Sequence, residues 1–272
     1  MTSRFAADTA VTPRGGGRYD ATIDRGWWIQ RGPNGGYLAA IVLRAICAEV
    51  DDPDRAPRSI TLHYLRPPAE GPCEVEVAIE RTGRGLTTAS ARLRQADQTC
   101  IVALVALAVV RPGPSFDDHP APEVPAPDDV PRRDPLPGEP DIPIRHRYDT
   151  RPAIGAPPFT RADEAVTGGW IRTFDDDPLD PILLAAITDA WVPAVFSRLE
   201  LPTGVPTIDL TVHVRALPRP EDRWALVRFR TTMAAEGYLE EDGEVWSQDG
   251  RLLAQSRQLA VLVPPELAPP AG

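Results

Sequence analysis

Two segments of this chain, Tyr37–Ala48 (YLAAIVLRAICA) and Ile182–Phe196 (ILLAAITDAWVPAVF), are apolar on nearly every side when wound as helices. A surface helix carries an apolar stripe and a polar face; one that lacks the polar face has to be covered all round. Lipid is not the cover, because even the longest uninterrupted apolar run, Ile101 to Val110, is about half the roughly 20 residues that span a bilayer. The cover must therefore be protein, and the flanking sequence supplies strands for it. Ile208, Leu210, Val212 and Val214 alternate with Thr207, Asp209, Thr211 and His213, the period of a sheet with two unlike faces. Thr82-Gly83-Arg84-Gly85 and Gln248-Asp249-Gly250 read as hairpin turns between later strands.

The same order of elements occurs twice. GWWIQ, PNGGYLAAIVLRAICAEV, RSITLHYLRPP and a run of strands ending in CIVALVALAVV make the first half. GGWIR, DPLDPILLAAITDAWVPAVF, PTIDLTVHVRALP and a run ending in LLAQSRQLAVLV make the second. Each half gives a short strand, one helix and a series of strands, so the chain reads as an internal duplication. Between the halves the sequence is dense in proline and aspartate with almost no apolar period, which predicts an extended linker lying on the surface. The expectation is an α+β protein with an N-terminal module at 1–110, a linker at 111–160 and a C-terminal module at 161–272. Each module would wrap an antiparallel sheet around a central helix, the arrangement known as a hot-dog, and two in tandem make a double hot-dog.

Composition narrows the function. A net charge of −10 argues against a nucleic-acid partner, because that binding rests on neutralising phosphates. The basic residues are all arginine, so Schiff-base chemistry and a lysine-dependent phosphate loop are excluded. Cys47, Cys73 and Cys100 have neither metal-ligand spacing nor an even count for disulfides; reduced thiols in apolar stretches act as small hydrophobes. The first 20 residues contain no apolar core of a secretory signal, and a cytoplasmic protein is expected.

Several of these segments resemble the acyl-CoA thioesterase II family. PNGGYLAAIVLRA followed by RSITLHYLRPP is similar to its N-terminal module, and ITDAWVPAV, PTIDLTVHVRALP and EDGEVWSQDGRLLAQSRQLAVL are similar to its C-terminal module. The resemblance covers nearly the whole chain outside the linker. It implies hydrolysis of acyl-CoA to free acid and CoA without metal or organic cofactor, by an Asp, a Thr or Ser and a Gln around one water. Residue by residue these are Asp189 in ITDAW, Thr207 in PTIDL and Gln258 in QSRQL.

The residues themselves point the same way. Asp189 is the one ionisable group between Pro181 and Ser197, and a carboxylate on a buried helix is costly unless it has polar partners. Aligning the halves by sequence sets Leu43 opposite Asp189, Ser59 opposite Thr207 and Ala106 opposite Gln258. Two of the three positions are apolar in the first half; polar groups kept in one copy are not needed to build the fold, so one catalytic centre per chain is expected. Asn34-Gly35-Gly36 opens the first helix, and the amides of Gly35 and Gly36 are candidate oxyanion donors if that helix start faces Asp189. Arg66 and Arg215, at strand ends, are candidates to meet CoA phosphates. His63 and His213, one residue out of repeat register, are expected to be ordinary strand residues. Two rivals stand beside hydrolysis: a hot-dog enoyl-CoA hydratase, which would pair an Asp with a His, and a non-catalytic acyl-CoA binder. A homodimer of double modules is the expected assembly.

Overall fold

The computed structural model describes residues 2–133 and 141–263. Linker residues 134–140 and the last nine residues of the C-terminal module, 264–272, lie outside the described residues. A short helix α1 (Arg4–Asp8) precedes strands β1 (Thr12–Gly15) and β2 (Arg18–Ile23), helix α2 (Gly35–Val50), and strands β3 (Ala56–Tyr64), β4 (Gly71–Thr82), β5 (Leu86–Gln95) and β6 (Gln98–Ala108). The second half contributes β7 (Tyr148–Gly155), β8 (Ala165–Thr173), helix α3 (Pro181–Ile187), β9 (Thr207–Val214), β10 (Ala225–Thr231), β11 (Ala234–Ala235), β12 (Tyr238–Ser247) and β13 (Leu252–Val261).

Among the described residues the strands form one sheet, in the order β1-β2-β4-β5-β6-β3-β9-β13-β12-β10-β8-β7, with β11 beside β12. Read from either end the order is the same, so two hot-dog modules are joined edge to edge through β3 and β9. Joining the edges removes two exposed rows of backbone donors and acceptors. At the junction Thr61 faces Thr211 with their hydroxyls 3.1 Å apart, marking a local two-fold axis. The helices lie on the concave side of the sheet. Every residue of α2 from Gly36 to Leu43 is buried, with its own sheet on one side and α3 on the other. There is the all-round cover that its apolar sequence requires.

Several sequence expectations are corrected here. GWWIQ is not a strand: Arg25–Trp27 is a turn of 3-10 helix, and the counterpart of β8 is β2. The second helix ends at Ile187 instead of Phe196. Pro193 has no N–H and holds Val192 out of helical conformation, while the Thr188 hydroxyl donates back to the Ala185 carbonyl at 2.8 Å. Strand β7 falls within the segment expected to be linker. The repeat register also changes. Ile60 pairs with Val105 as Leu210 pairs with Gln258, and Pro57 pairs with Leu107 as Thr207 pairs with Ala260. The counterparts of Thr207 and Gln258 are therefore Pro57 and Val105, because both copies carry a bulge at this place. Asn34 and Asp180 both cap their helices, which keeps Leu43 opposite Asp189. The same register makes His63 and His213 true counterparts, both exposed on strands. It pairs Arg215 with Leu65 rather than Arg66: the first of each pair donates its backbone N–H to the neighbouring strand, Leu65 to Cys100 and Arg215 to Leu253.

The linker lies on the surface as expected, and its course is specific. On the convex face of the second module Trp170, Trp224, Leu226 and Trp246 form a separate cluster with Val130, covered by Ala121 and Val124. Indole N–H groups fasten the cover, Trp170 to the Pro125 carbonyl at 2.8 Å and Trp246 to that of His119 at 3.3 Å. The corresponding face of the first module is polar, with Glu76 near Arg18 and Arg94, and needs no cover. Cys47, Cys73 and Cys100 are unpaired. Among the described residues no helix is long and apolar enough to cross a membrane.

Trp246→Ala should cost about 3–5 kcal/mol, the range for emptying a buried tryptophan site. Phe116→Ala, at a side chain 84% exposed in the same strap, should stay within about 0.5 kcal/mol. Urea unfolding of the two variants checks the contrast.

Candidate active site

The early end of α3 decides where Asp189 goes. Its backbone N–H and that of Ala190 close single tight turns onto Ala186 and Ile187, and the chain then leaves the helix axis. Trp191 anchors this loop by donating its indole N–H to Thr167 on β8 at 2.9 Å. Asp189, half-buried, is thereby turned toward the start of α2 in the other module.

There the carboxylate meets a helix N-terminus. Asp189 Oδ2 accepts from the Gly36 backbone N–H at 2.9 Å and from Asn34 Nδ2 at 2.9 Å, while Asn34 Nδ2 also reaches the Asp189 carbonyl at 2.6 Å. Unpaired amides and the positive end of the helix dipole make such a terminus an anion site. The approach depends on glycine. A Cβ on Gly36 would stand 2.3 Å from the Ala186 carbonyl oxygen, and one on Gly35 would stand 2.9 Å from Asp189 Oδ2. Burial drives the Asp189 pKa up to about 6, against the amides of Gly36 and Gly35 and the Asn34 side chain, which favour the charged form. The result is a poorly solvated carboxylate whose pKa is lifted toward neutrality.

The expected oxyanion donors thus have a different task. The helix start does face Asp189, but the Gly36 amide is committed to the carboxylate itself, the nearest anion. Gly35 is framed on its other side by Tyr64, whose hydroxyl donates to the Gly35 carbonyl at 3.0 Å. Burial, and then the Asp189 charge, raises the Tyr64 phenol well above its ordinary value.

Thr207 and Gln258 are brought together: Thr207 Oγ1 donates to Gln258 Oε1 at 2.9 Å. Gln258 Nε2 in turn donates to Glu241 Oε1 at 2.9 Å, and Glu241 Oε2 accepts from the Ala194 N–H at 2.5 Å. Among the described residues no direct hydrogen bond joins Asp189 to Thr207 or Gln258. The two groups are linked by the 189–194 loop, with Asp189 at one end and Ala194 at the other, and by charge: burial first, and among the remaining causes Asp189, pushes the Glu241 pKa up to about 7. Tyr148, buried and without a hydroxyl partner among the described residues, is also raised, by burial and then by Asp189. A cleft of about 850 Å3 opens elsewhere, between α1, β2 and the β5–β6 turn, and includes none of these residues.

With the geometry in hand, comparison with known proteins is decisive. The chain matches the acyl-CoA thioesterase N-terminal domain over residues 24–110 and the acyl-CoA thioesterase C-terminal domain over residues 123–262. It belongs to the acyl-CoA thioesterase family. A hot-dog protein of unknown function from Alicyclobacillus acidocaldarius superposes with a TM-score of 0.88 at 30% identity, covering 97% of this chain and 100% of that one. A candidate thioesterase II of Thermobifida fusca gives 0.82 at 28%, covering 96% and 98%. An uncharacterized Mycobacterium tuberculosis protein is 25% identical, over 90% of each chain.

The sequence reading missed Glu241 and the anchoring role of Asn34. Glu241 had a signal: it sits in register with Leu239, Gly243 and Val245 on the core side of β12, where a glutamate is unexpected.

Gly36→Ala should push α2 from α3 and cost about 1–3 kcal/mol, as overpacking does, with loss of the Asp189 anchor; a thermal melt checks it. Because the Asp189 pKa is raised in the folded state, its contribution is fully present below pH 4 and lost as pH climbs through about 6. Asp189→Asn removes that loss, on the order of 2 kcal/mol after discounting for partial exposure. The variant should therefore melt above wild type at pH 8, with the gap closing toward pH 4.5 in calorimetry.

Proposed function

We propose that this chain hydrolyses acyl-CoA thioesters to a carboxylic acid and free CoA at one centre per chain. The observation that carries the reading is Asp189, a carboxylate held at a foreign helix terminus with its pKa lifted to about 6. Its counterpart in the duplicated unit is leucine.

Water is the nucleophile in this scheme. It donates one proton toward Asp189 and the other toward Thr207 Oγ1, whose own proton is engaged by Gln258. It accepts from the second N–H of Gln258. As Asp189 takes its proton, the water oxygen bonds to the thioester carbon. The tetrahedral adduct then collapses by breaking the C–S bond, and the departing CoA thiolate recovers the proton from Asp189. Thiolate is a good leaving group and thioesters gain little from resonance, so no covalent enzyme intermediate is required.

Asp189→Asn should lower kcat about 10²- to 10⁴-fold, the contribution of a positioned base. A panel of acyl-CoAs followed by thiol release measures it; near-normal turnover by the variant sinks the assignment. Hydration of crotonyl-CoA without thiol release, or tight binding without turnover, would favour the hydratase or the binding module. Only ionised Asp189 can act, so kcat/KM should rise with pH to a plateau above an apparent pKa near 6. A flat profile between pH 5 and 8 would contradict this.

A further inference from the structure

We propose that Glu241 is a positioning residue that orients the Gln258 amide and pins the loop bearing Asp189; the inference rests on the hydrolytic reading of that site. Glu241 is 4% exposed on the concave face of β12. Its carboxylate has no arginine partner among the described residues: one oxygen accepts from Gln258 Nε2 and the other from the Ala194 N–H, both neutral donors. A carboxylate buried this way costs stability. The fold does not require it, since Ala89 pairs with Val105 in the first module as Glu241 pairs with Gln258 in the second.

What the carboxylate supplies is direction. Above about pH 7 the Glu241 carboxyl is ionised and only accepts hydrogen bonds, whereas an amide can present either end. With Glu241 on one side, Gln258 must turn its NH2 toward it and its Oε1 toward Thr207, which donates. One Gln258 N–H then remains to donate, and the Thr207 oxygen remains to accept. A water placed between them finds a donor and an acceptor in fixed positions, with its second proton left for Asp189. If the partner at 241 could itself donate, the amide could turn over and the water would lose its donor. The other Glu241 oxygen fixes Ala194, five residues beyond Asp189, so one carboxylate sets both groups that must meet at the water.

The test is a double-mutant cycle with Glu241→Gln and Gln258→Ala, each measured for kcat and KM on an acyl-CoA that wild type hydrolyses. Glu241→Gln should lower kcat about 10- to 100-fold, the usual loss when a group that orients another is removed, with KM little changed. In the Gln258→Ala background it should have no further effect, because a glutamine oxygen at 241 still accepts from the Ala194 N–H. Losses that multiply in the double variant would overturn the proposal. Glu241→Ala is the second variant, because alanine already fills the equivalent place at Ala89; it should lower kcat at least as much as Glu241→Gln, since it also removes the acceptor of the Ala194 N–H. Side-chain amide NMR gives a readout independent of turnover. The Gln258 NH2 signals, identified by their absence in Gln258→Ala, should move in both Glu241 variants, and unmoved signals would refute the contact. Asp189→Asn is the control: if it keeps full activity the hydrolytic reading fails, while the NMR result still decides whether Glu241 orients Gln258.

Discussion

The structure turns on one contact, the Asp189 carboxylate seated on the N-terminus of a helix from the other module. It requires α2 and α3 to approach until the Gly36 backbone lies against Ala186. That approach requires β3 and β9 to pair edge to edge, so that two separate sheets become one surface with both helices on the same side. It also requires α3 to stop early, since another helical turn would carry residue 189 away from the junction. The fusion of two modules is therefore part of the site rather than a scaffold beneath it.

Holding charge in this place has a cost, and the duplication shows that the cost is not structural. In the first module the positions corresponding to Asp189, Thr207, Glu241 and Gln258 are Leu43, Pro57, Ala89 and Val105. Leu43, Ala89 and Val105 are buried in an apolar core. The same fold thus exists in one chain with and without the polar set, and the apolar version is the cheaper one. Two carboxylates whose pKa values burial lifts toward neutrality, with Asp189 adding to the lift at Glu241, are retained against that gradient. Retention against cost is the physical argument for function, and it holds without reference to any relative.

Much of this was legible in the sequence, for identifiable reasons. The all-apolar helices required all-round burial, and the doubled element order gave the modules. The alternation in Thr207–Val214 placed a strand where the structure has β9. Asp189 stands out as a charge in an apolar run, yet its exact setting does not: the apolar pattern runs on past Pro193, while the helix stops at Ile187. Register was legible only to within two residues, because matched bulges in β3 and β9 shift the pairing without leaving a mark on composition. Glu241 was hidden differently. It sits in the acidic run Glu240-Glu241-Asp242, which reads as a solvated turn until the pleat reveals that only Glu241 points inward.

The two halves have diverged in complementary ways. Helix α2 keeps sixteen residues and a Gly-Gly start, so its terminal amides are open to an incoming anion. Helix α3 has seven residues, begins with Pro181, which lacks an N–H, and already has the Asp180 carboxylate on the Leu183 amide. A mirror-image site at the start of α3 would have a shorter dipole, one donor fewer and a resident negative charge, facing Leu43. The first module carries the donors, Asn34 and Gly36, and the second the acids and the amide, Asp189, Glu241 and Gln258. Two identical modules would place the same residues at both junction sites, so neither site could be left apolar. Fusion frees each copy to optimise one role, and the apolar half-site left behind returns part of the stability that the working half-site costs.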